Sequence, residues 1–178
     1  MKVLITGHTS GIGKAILENA PSDYEVKGIS RTTGHDIVNN LPDVLGFIKK
    51  YQPDILFNNA WGEGNQHAIA TWFVERFQKG IMITTGSALA YAFLVDNLDD
   101  FYDGLISQPY MHYTNSKTKL LLEAYMWKVR NKEAKKVYWT NYSLGITKTG
   151  LTNRDTNGDF DPTKHKDYPM LDLSLIHI

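Results

Sequence analysis

The chain contains no cysteine, which excludes disulfide frameworks, thiolate zinc sites and cysteine nucleophiles together. It also lacks an excess of either charge. Its 19 Lys and Arg balance 19 Asp and Glu, and neither sign is gathered into a long run, so nucleic acid is not the expected partner. Long hydrophobic runs are missing as well: the apolar stretch before Gly7 is short, and no later one approaches the length that crosses a bilayer. The expectation is a cytoplasmic protein with no membrane partner. The six histidines have no zinc-ligand spacing, and Asp96, Asp99, Asp100 and Asp103 do not fit a calcium loop, so no metal is expected. What is there is ordinary for a globular chain: 178 residues, 42% apolar and 21% charged. That is one domain, residues 1–178, large enough to bury about two-thirds of its unfolded surface without staples.

Periodicity gives the organisation. Lys2 to Thr6 is a β-branched apolar run cut off by Gly7, and a helical pattern follows from Ile12 to Ala20, stopped by Pro21. A second strand fits Tyr24 to Ser30 and a short third one His35 to Val38, with no room for a helix between them. Leu41 to Tyr51 reads as an amphipathic helix, and Asp54 to Phe57 as a buried strand. A helix from Ala68 to Lys79, a strand from Ile81 to Thr85, a long helix near Tyr113 to Lys132 and a strand from Lys136 to Tyr142 complete the alternation. Strands alternating with helices predict a doubly wound α/β domain with a parallel sheet covered on both faces. After Leu151 the chain turns polar, and Leu171, Leu173 and Leu175 alternate as a last strand.

The first strand-to-helix turn reads Thr6-Gly7-His8-Thr9-Ser10-Gly11-Ile12-Gly13. Gly7 allows a sharp exit from the strand, Gly11 lets a pyrophosphate approach the backbone, and Gly13 permits close helix-on-sheet packing. Free N–H groups and the helix dipole favour an anion there, with Thr9 and Ser10 as capping or phosphate-contacting hydroxyls. Charge at the end of the second strand then selects the dinucleotide. Ser30-Arg31-Thr32 offers a guanidinium and hydroxyls to a 2′-phosphate, so NADP is the expected cofactor, with NAD as the lesser choice. Asp36 is assigned to the third strand, near the adenine.

Tyr113 and Lys117 stand four residues apart at the start of the long helix, on one face. A nearby ammonium stabilises a phenolate, so the pair is suited to moving a proton while a cofactor moves a hydride.

Taken together, these residues resemble the short-chain dehydrogenase/reductase family in its compact form, from the N-terminus to about Thr149. Thr6 to Gly13 is similar to the family's TGxxxGxG loop, and Asn58-Asn59-Ala60 to its NNAG motif, with Trp61 in place of glycine. Tyr113 to Lys117, YTNSK, matches YxxxK, and Ser143 to Thr149, SLGITKT, looks like PGxxxT with Leu144 in place of proline. The resemblance implies a Rossmann fold, NAD(P) binding, Tyr113 as general acid, and Lys117 holding the nicotinamide ribose and lowering the tyrosine pKa. It implies that Ser87 orients a substrate carbonyl, with Thr85 as the fallback, and that Asn59, Ala60, Gly145, Ile146, Thr147 and Thr149 join Gly7, Gly11, Ile12, Gly13 and Arg31 around the cofactor.

The chain departs from the family in what it omits and what it adds. One helix fits between the NNA motif and the next strand where the family has two. The relay asparagine of the second is not identifiable, because Asn65 is wrongly placed for the inside of the helix. Residues 151–178 form an abbreviated substrate-side region, and the stretch 88–112 is longer than usual. Apolar side chains exceed one stripe on the long helix, and with Trp72, Phe73 and Phe77 they predict a homo-oligomer through the helices near 68–79 and 113–132. The expected function is an NADP-preferring oxidoreductase that interconverts a small-molecule carbonyl and an alcohol. The alternative is a catalytically weak nucleotide-binding or regulatory protein.

Overall fold

The computed structural model describes residues 1–62, 64–87, 108–130 and 137–142, with 108–115 described only as helical backbone. Five strands, β1 (Lys2–Thr6), β2 (Glu25–Ile29), β3 (Ile55–Asn58), β4 (Gly80–Thr85) and β5 (Val137–Tyr142), form one all-parallel sheet in the order β2-β1-β3-β4-β5. Among the described residues, four helices connect or flank them: α1 (Gly11–Glu18), α2 (Leu41–Tyr51), α3 (Asn65–Arg76) and α4 (Gln108–Arg130). This is the doubly wound architecture that the sequence predicts.

The period-2 geometry of β1 divides the core. Leu4 faces a large cluster built with Val44 and Ile48 of α2, Ile69 and Phe73 of α3, and Leu120 of α4, over Leu56, Met82 and Trp139 of the neighbouring strands. Val3 and Ile5 face the other way onto Ile16 of α1. Because β1 is buried on both faces, it reads as a continuous apolar run rather than an alternating one.

One element differs. Among the described residues there is no strand at His35–Val38. Arg31–Thr33 is a short 3₁₀ turn, Gly34 leaves it in the left-handed conformation (φ 82°), and the chain then bends into α2. Ile37 supplies the reason. Its side chain is buried in the large cluster, and its carbonyl accepts a hydrogen bond from Asn65 Nδ2 at 2.6 Å, so the segment plugs the core instead of extending the sheet. The same bond places Asn65 at the first position of α3, which begins three residues earlier than its apolar spacing suggests. The helix ends at Arg76 because Phe77 is already extended, and Phe77 stacks on the buried Phe73 with ring centroids 4.1 Å apart. Phe73 therefore belongs to the core and not to a partner-facing surface.

α4 also starts earlier than predicted, at Gln108 rather than Tyr113, with Pro109 in its first turn, where a missing N–H costs nothing. Lys117, Leu120 and Ala124 form its buried side, with Trp127 donating its indole N–H to the Val137 carbonyl at 3.0 Å. Leu122, Tyr125, Met126 and Val129 are exposed on the other side. No helix among the described residues is long and apolar enough to cross a membrane. The predicted last strand at Leu171–Leu175 and the segment 143–149 lie outside the described residues.

Candidate functional site

The strand order changes direction between β1 and β3, and a parallel sheet binds its ligands at such a point, beyond the carboxyl ends of the strands. The glycine loop stands there. Gly7 and Gly11 take positive φ (72° and 54°), which a side chain would resist, and Gly7 N–H donates to the Ile29 carbonyl at 2.8 Å to turn the chain over β2. A Cβ at Gly13 would lie 2.2 Å from the Gly7 carbonyl oxygen, so α1 meets the loop at a distance only glycine permits. Ser10 is the N-cap residue of α1 with an extended backbone, and its hydroxyl makes no capping bond; Thr9 and Ser10 are both exposed. Ile12 is half-buried against the smaller core cluster. This cradle, which a Cβ would fill, fits a pyrophosphate at a helix N-terminus.

Thr6 joins the loop to the NNA motif. Its Oγ1, fully buried at the end of β1, accepts the backbone N–H groups of Asn59 (2.9 Å) and Ala60 (3.0 Å), while Asn59 Nδ2 reaches back to the Thr6 carbonyl at 3.2 Å. Thr6→Val keeps the shape and removes the acceptor, leaving two N–H groups short of a partner. Its expected cost is about 1–3 kcal/mol, read as a lower urea midpoint. Trp61, where the motif has glycine, is exposed.

At the end of β2, Ser30 Oγ pairs with Thr32 Oγ1 at 2.8 Å, and Thr33 Oγ1 accepts the Ser30 N–H at 2.9 Å, so the hydroxyls first organise the turn. Arg31 and Thr32 are exposed beside them. Asp36 stands in a turn and not on a strand: Oδ1 accepts the Val38 N–H (2.9 Å) and Oδ2 the Asn39 amide (2.8 Å). The Val38 bond, the Asn39 bond and the field of Arg31 hold its carboxyl below the usual range.

The strongest polar cluster lies at the ends of β3 and β4. Lys117, 1% exposed, donates through Nζ to Gln66 Oε1 and to the Thr85 carbonyl, each at 2.6 Å. Burial pulls its pKa from 10.5 down to about 7. Gln66, also fully buried, donates from Nε2 to the Asn58 carbonyl (2.6 Å) and to Thr85 Oγ1 (3.2 Å), and its backbone carbonyl accepts Asn58 Nδ2 (2.6 Å). Thr85 Oγ1 in turn donates to the Asn59 carbonyl at 3.2 Å. That hydroxyl, the expected fallback for carbonyl orientation, is thus engaged with the main chain of the NNA motif. Ser87 follows one residue after Gly86, immediately beyond β4. Tyr113 lies on α4 one turn before Lys117; its side chain lies outside the described residues, as do Gly145, Ile146, Thr147 and Thr149.

Two contributors were not singled out from the sequence. Gln66 went unnoticed because the apolar spacing starts the helix at Ala68 and leaves this residue in the loop before it, where a polar side chain normally faces solvent. The other is His8: a Cβ on Gly28 would fall 2.0 Å from His8 Cγ, so the imidazole occupies the space that this glycine leaves in β2. Its Nδ1 is buried with no hydrogen-bond partner among the described residues. An isolated glycine inside a strand is the signal that marks such a close approach.

No family model matches the chain, and no curated protein matches it. Solved structures do. The 3-alpha-hydroxysteroid dehydrogenase from Pseudomonas sp. B-0831, complexed with NADH, superposes with a TM-score of 0.69 at 17% identity, over 98% of this chain and 85% of that one. A short-chain dehydrogenase from Sphingobium yanoikuyae in complex with NADPH gives 0.62 at 16%, over 97% and 79%. A GDP-L-fucose synthetase from Naegleria fowleri gives 0.63 at 14%, over 82% of this chain and half of its own length. At these identities the likeness is one of fold: the chain has the Rossmann-like fold of the short-chain dehydrogenases and reductases.

Proposed function

We propose that the protein is an NADP-preferring oxidoreductase that interconverts a carbonyl and an alcohol on a small molecule. The observation that carries this reading is the meeting, at the carboxyl end of the sheet, of a glycine cradle shaped for a pyrophosphate with a buried lysine from the YTNSK sequence. The fold neighbours named as complexes with NADH and NADPH support a nicotinamide dinucleotide as the cofactor. Such a cofactor supplies or accepts the hydride.

The chain's own residues have the remaining tasks. Gly7, Gly11, Ile12 and Gly13, with Thr9 and Ser10, bind the pyrophosphate, and Asn59 and Ala60 line the crevice beside it. Arg31, with Ser30 and Thr32, takes a 2′-phosphate, and Asp36 borders the adenine from its turn. Tyr113 is the general acid and base, Lys117 lowers its pKa and holds the ribose, and Ser87 donates to the carbonyl oxygen as negative charge develops there. Gly145, Ile146, Thr147 and Thr149 close the nicotinamide side. The exposed apolar side of α4 is the surface through which a second copy docks, in the cytoplasm.

Calorimetric titration tests the reading. NADPH is expected to bind more tightly than NADH, and Arg31→Ala to weaken NADPH by about tenfold to a hundredfold, the value of a charge-assisted hydrogen bond. In a carbonyl screen, Tyr113→Phe is expected to abolish turnover while keeping NADPH binding. Binding of neither nucleotide overturns the assignment. NADPH binding without turnover in the unsubstituted protein favours the regulatory alternative.

A further inference from the structure

We propose that Gln66 is the positioning residue for Lys117: its amide is oriented so that the oxygen faces Nζ, and that one side chain fixes both where the lysine sits and how readily it is charged. This rests on the reading of Lys117 as a site residue. The orientation of the amide follows from a chain of donors with a fixed direction. The Asn58 carbonyl can only accept, and it lies 2.6 Å from Gln66 Nε2. Thr85 Oγ1 gives its own proton to the Asn59 carbonyl (3.2 Å), so toward Gln66 it too acts as an acceptor (3.2 Å). Both partners on that side demand the NH₂ end, and Oε1 is left to face Lys117 at 2.6 Å. The donor direction thus runs from Lys117 through Gln66 and Thr85 to Asn59. Asn59 is itself tied to Thr6 and to the Gly7 carbonyl, so the lysine and the glycine loop share one polar network.

A neutral acceptor at this position has a chemical consequence. A carboxylate there would pair with the ammonium and hold it charged, and an apolar side chain would leave Nζ with one acceptor fewer. An amide oxygen with the Thr85 carbonyl satisfies two N–H groups whether the nitrogen is protonated or not, so the group can change charge without losing its place. Among the described residues, few other charges interfere. β3 and β4 carry no titratable side chain, and those of β5, Tyr138 and Tyr142, are exposed. On α3, Glu75 and Arg76 close the far end of the helix, and His67 approaches Glu123 of α4 at 3.5 Å. Burial is the cause of the lysine's shift. On α4 itself, Tyr110, His112 and Tyr113 come earlier in the helix, and Lys119, Tyr125, Lys128 and Arg130 lie further along.

The full chain, labelled in its lysine side chains and free of any ligand, reads this out by NMR titration, with the Lys117 signal identified by its loss in Lys117→Met. In the unsubstituted protein Lys117 is expected to titrate near 7, apart from the other lysines. Gln66→Glu is expected to raise that midpoint by about 1–3 pH units through the new carboxylate, and Gln66→Met to lower it. If one variant fails to fold, the other carries the test. Midpoints that stay with the unsubstituted protein, whatever happens to stability, overturn the proposal and leave Gln66 a structural tie between β3 and β4. Since no cofactor is present, failure of NADPH to bind would overturn the functional reading without touching this result.

Discussion

Gly13→Ala is expected to abolish measurable NADPH binding and to lower stability by about 1–3 kcal/mol, the range of an overpacked interior. The added methyl would sit 2.2 Å from the Gly7 carbonyl oxygen and 2.8 Å from Asn59 Nδ2. Neither neighbour is the loose end of a flexible side chain: the first is backbone at the turn, and the second is held by the Thr6 carbonyl. The helix must therefore move off the sheet, and its N-terminal N–H groups move with it. Gly46→Ala provides the control. Gly46 lies within α2 with nothing near its missing Cβ, so alanine there is expected to raise stability by about 0.5–1 kcal/mol with binding unchanged. Isothermal calorimetry and urea unfolding of the two variants separate a local clash from a general intolerance of added carbon. Undiminished NADPH affinity in Gly13→Ala would remove the loop from the cofactor site.

The second large effect is in pH. A lysine that titrates at 10.5 when unfolded and at about 7 when folded binds fewer protons in the native state between those values. Stability therefore rises with pH across that window, by at most about 5 kcal/mol for this group, and falls again as pH drops toward the folded value. Lys117→Met removes this contribution. The substitution is expected to be much less costly near pH 7, where it removes the cost of burying a group that is protonated in the unfolded chain, than near pH 10, where it deletes a well-seated amine. Unfolding free energies for both proteins across this range give the difference directly. Parallel curves would mean that the lysine is not titrating in the interior.

How far the sequence could be read depended on whether local pattern or tertiary context decided the matter. The boundaries of α2, Leu41 to Tyr51, follow from its apolar stripe and the proline in its first turn, and nothing from outside the helix competes. The glycine loop was legible because each glycine answers a local steric demand. His35–Val38 was misread as a strand because its two apolar residues carry no mark of the Asn65 side chain that draws Ile37 into the core. Gln66 escaped for a related reason. Its burial depends on Asn58, Thr85 and Lys117 arriving from three other elements, and a search for an asparagine well inside the helix passed over a longer amide at its start. Pro109 was a usable signal for the start of α4 that the apolar spacing, beginning later, concealed.

The parallel sheet also constrains how the chain reaches its native state. Among the described residues no strand is paired with its neighbour through a hairpin. Val3 must find Ile55 and Gly80 must find Val137 before either ladder contributes any hydrogen bond. β1, α1 and β2 are the most local unit, and everything beyond it waits on the closure of long loops, whose entropy is lost before the contacts are gained. Such topologies assemble on the slow side for their length and leave apolar strand edges open to other chains in the interval. Recovery from denaturant should therefore depend on protein concentration more steeply than the stability of the finished fold would indicate, with dilution as the remedy.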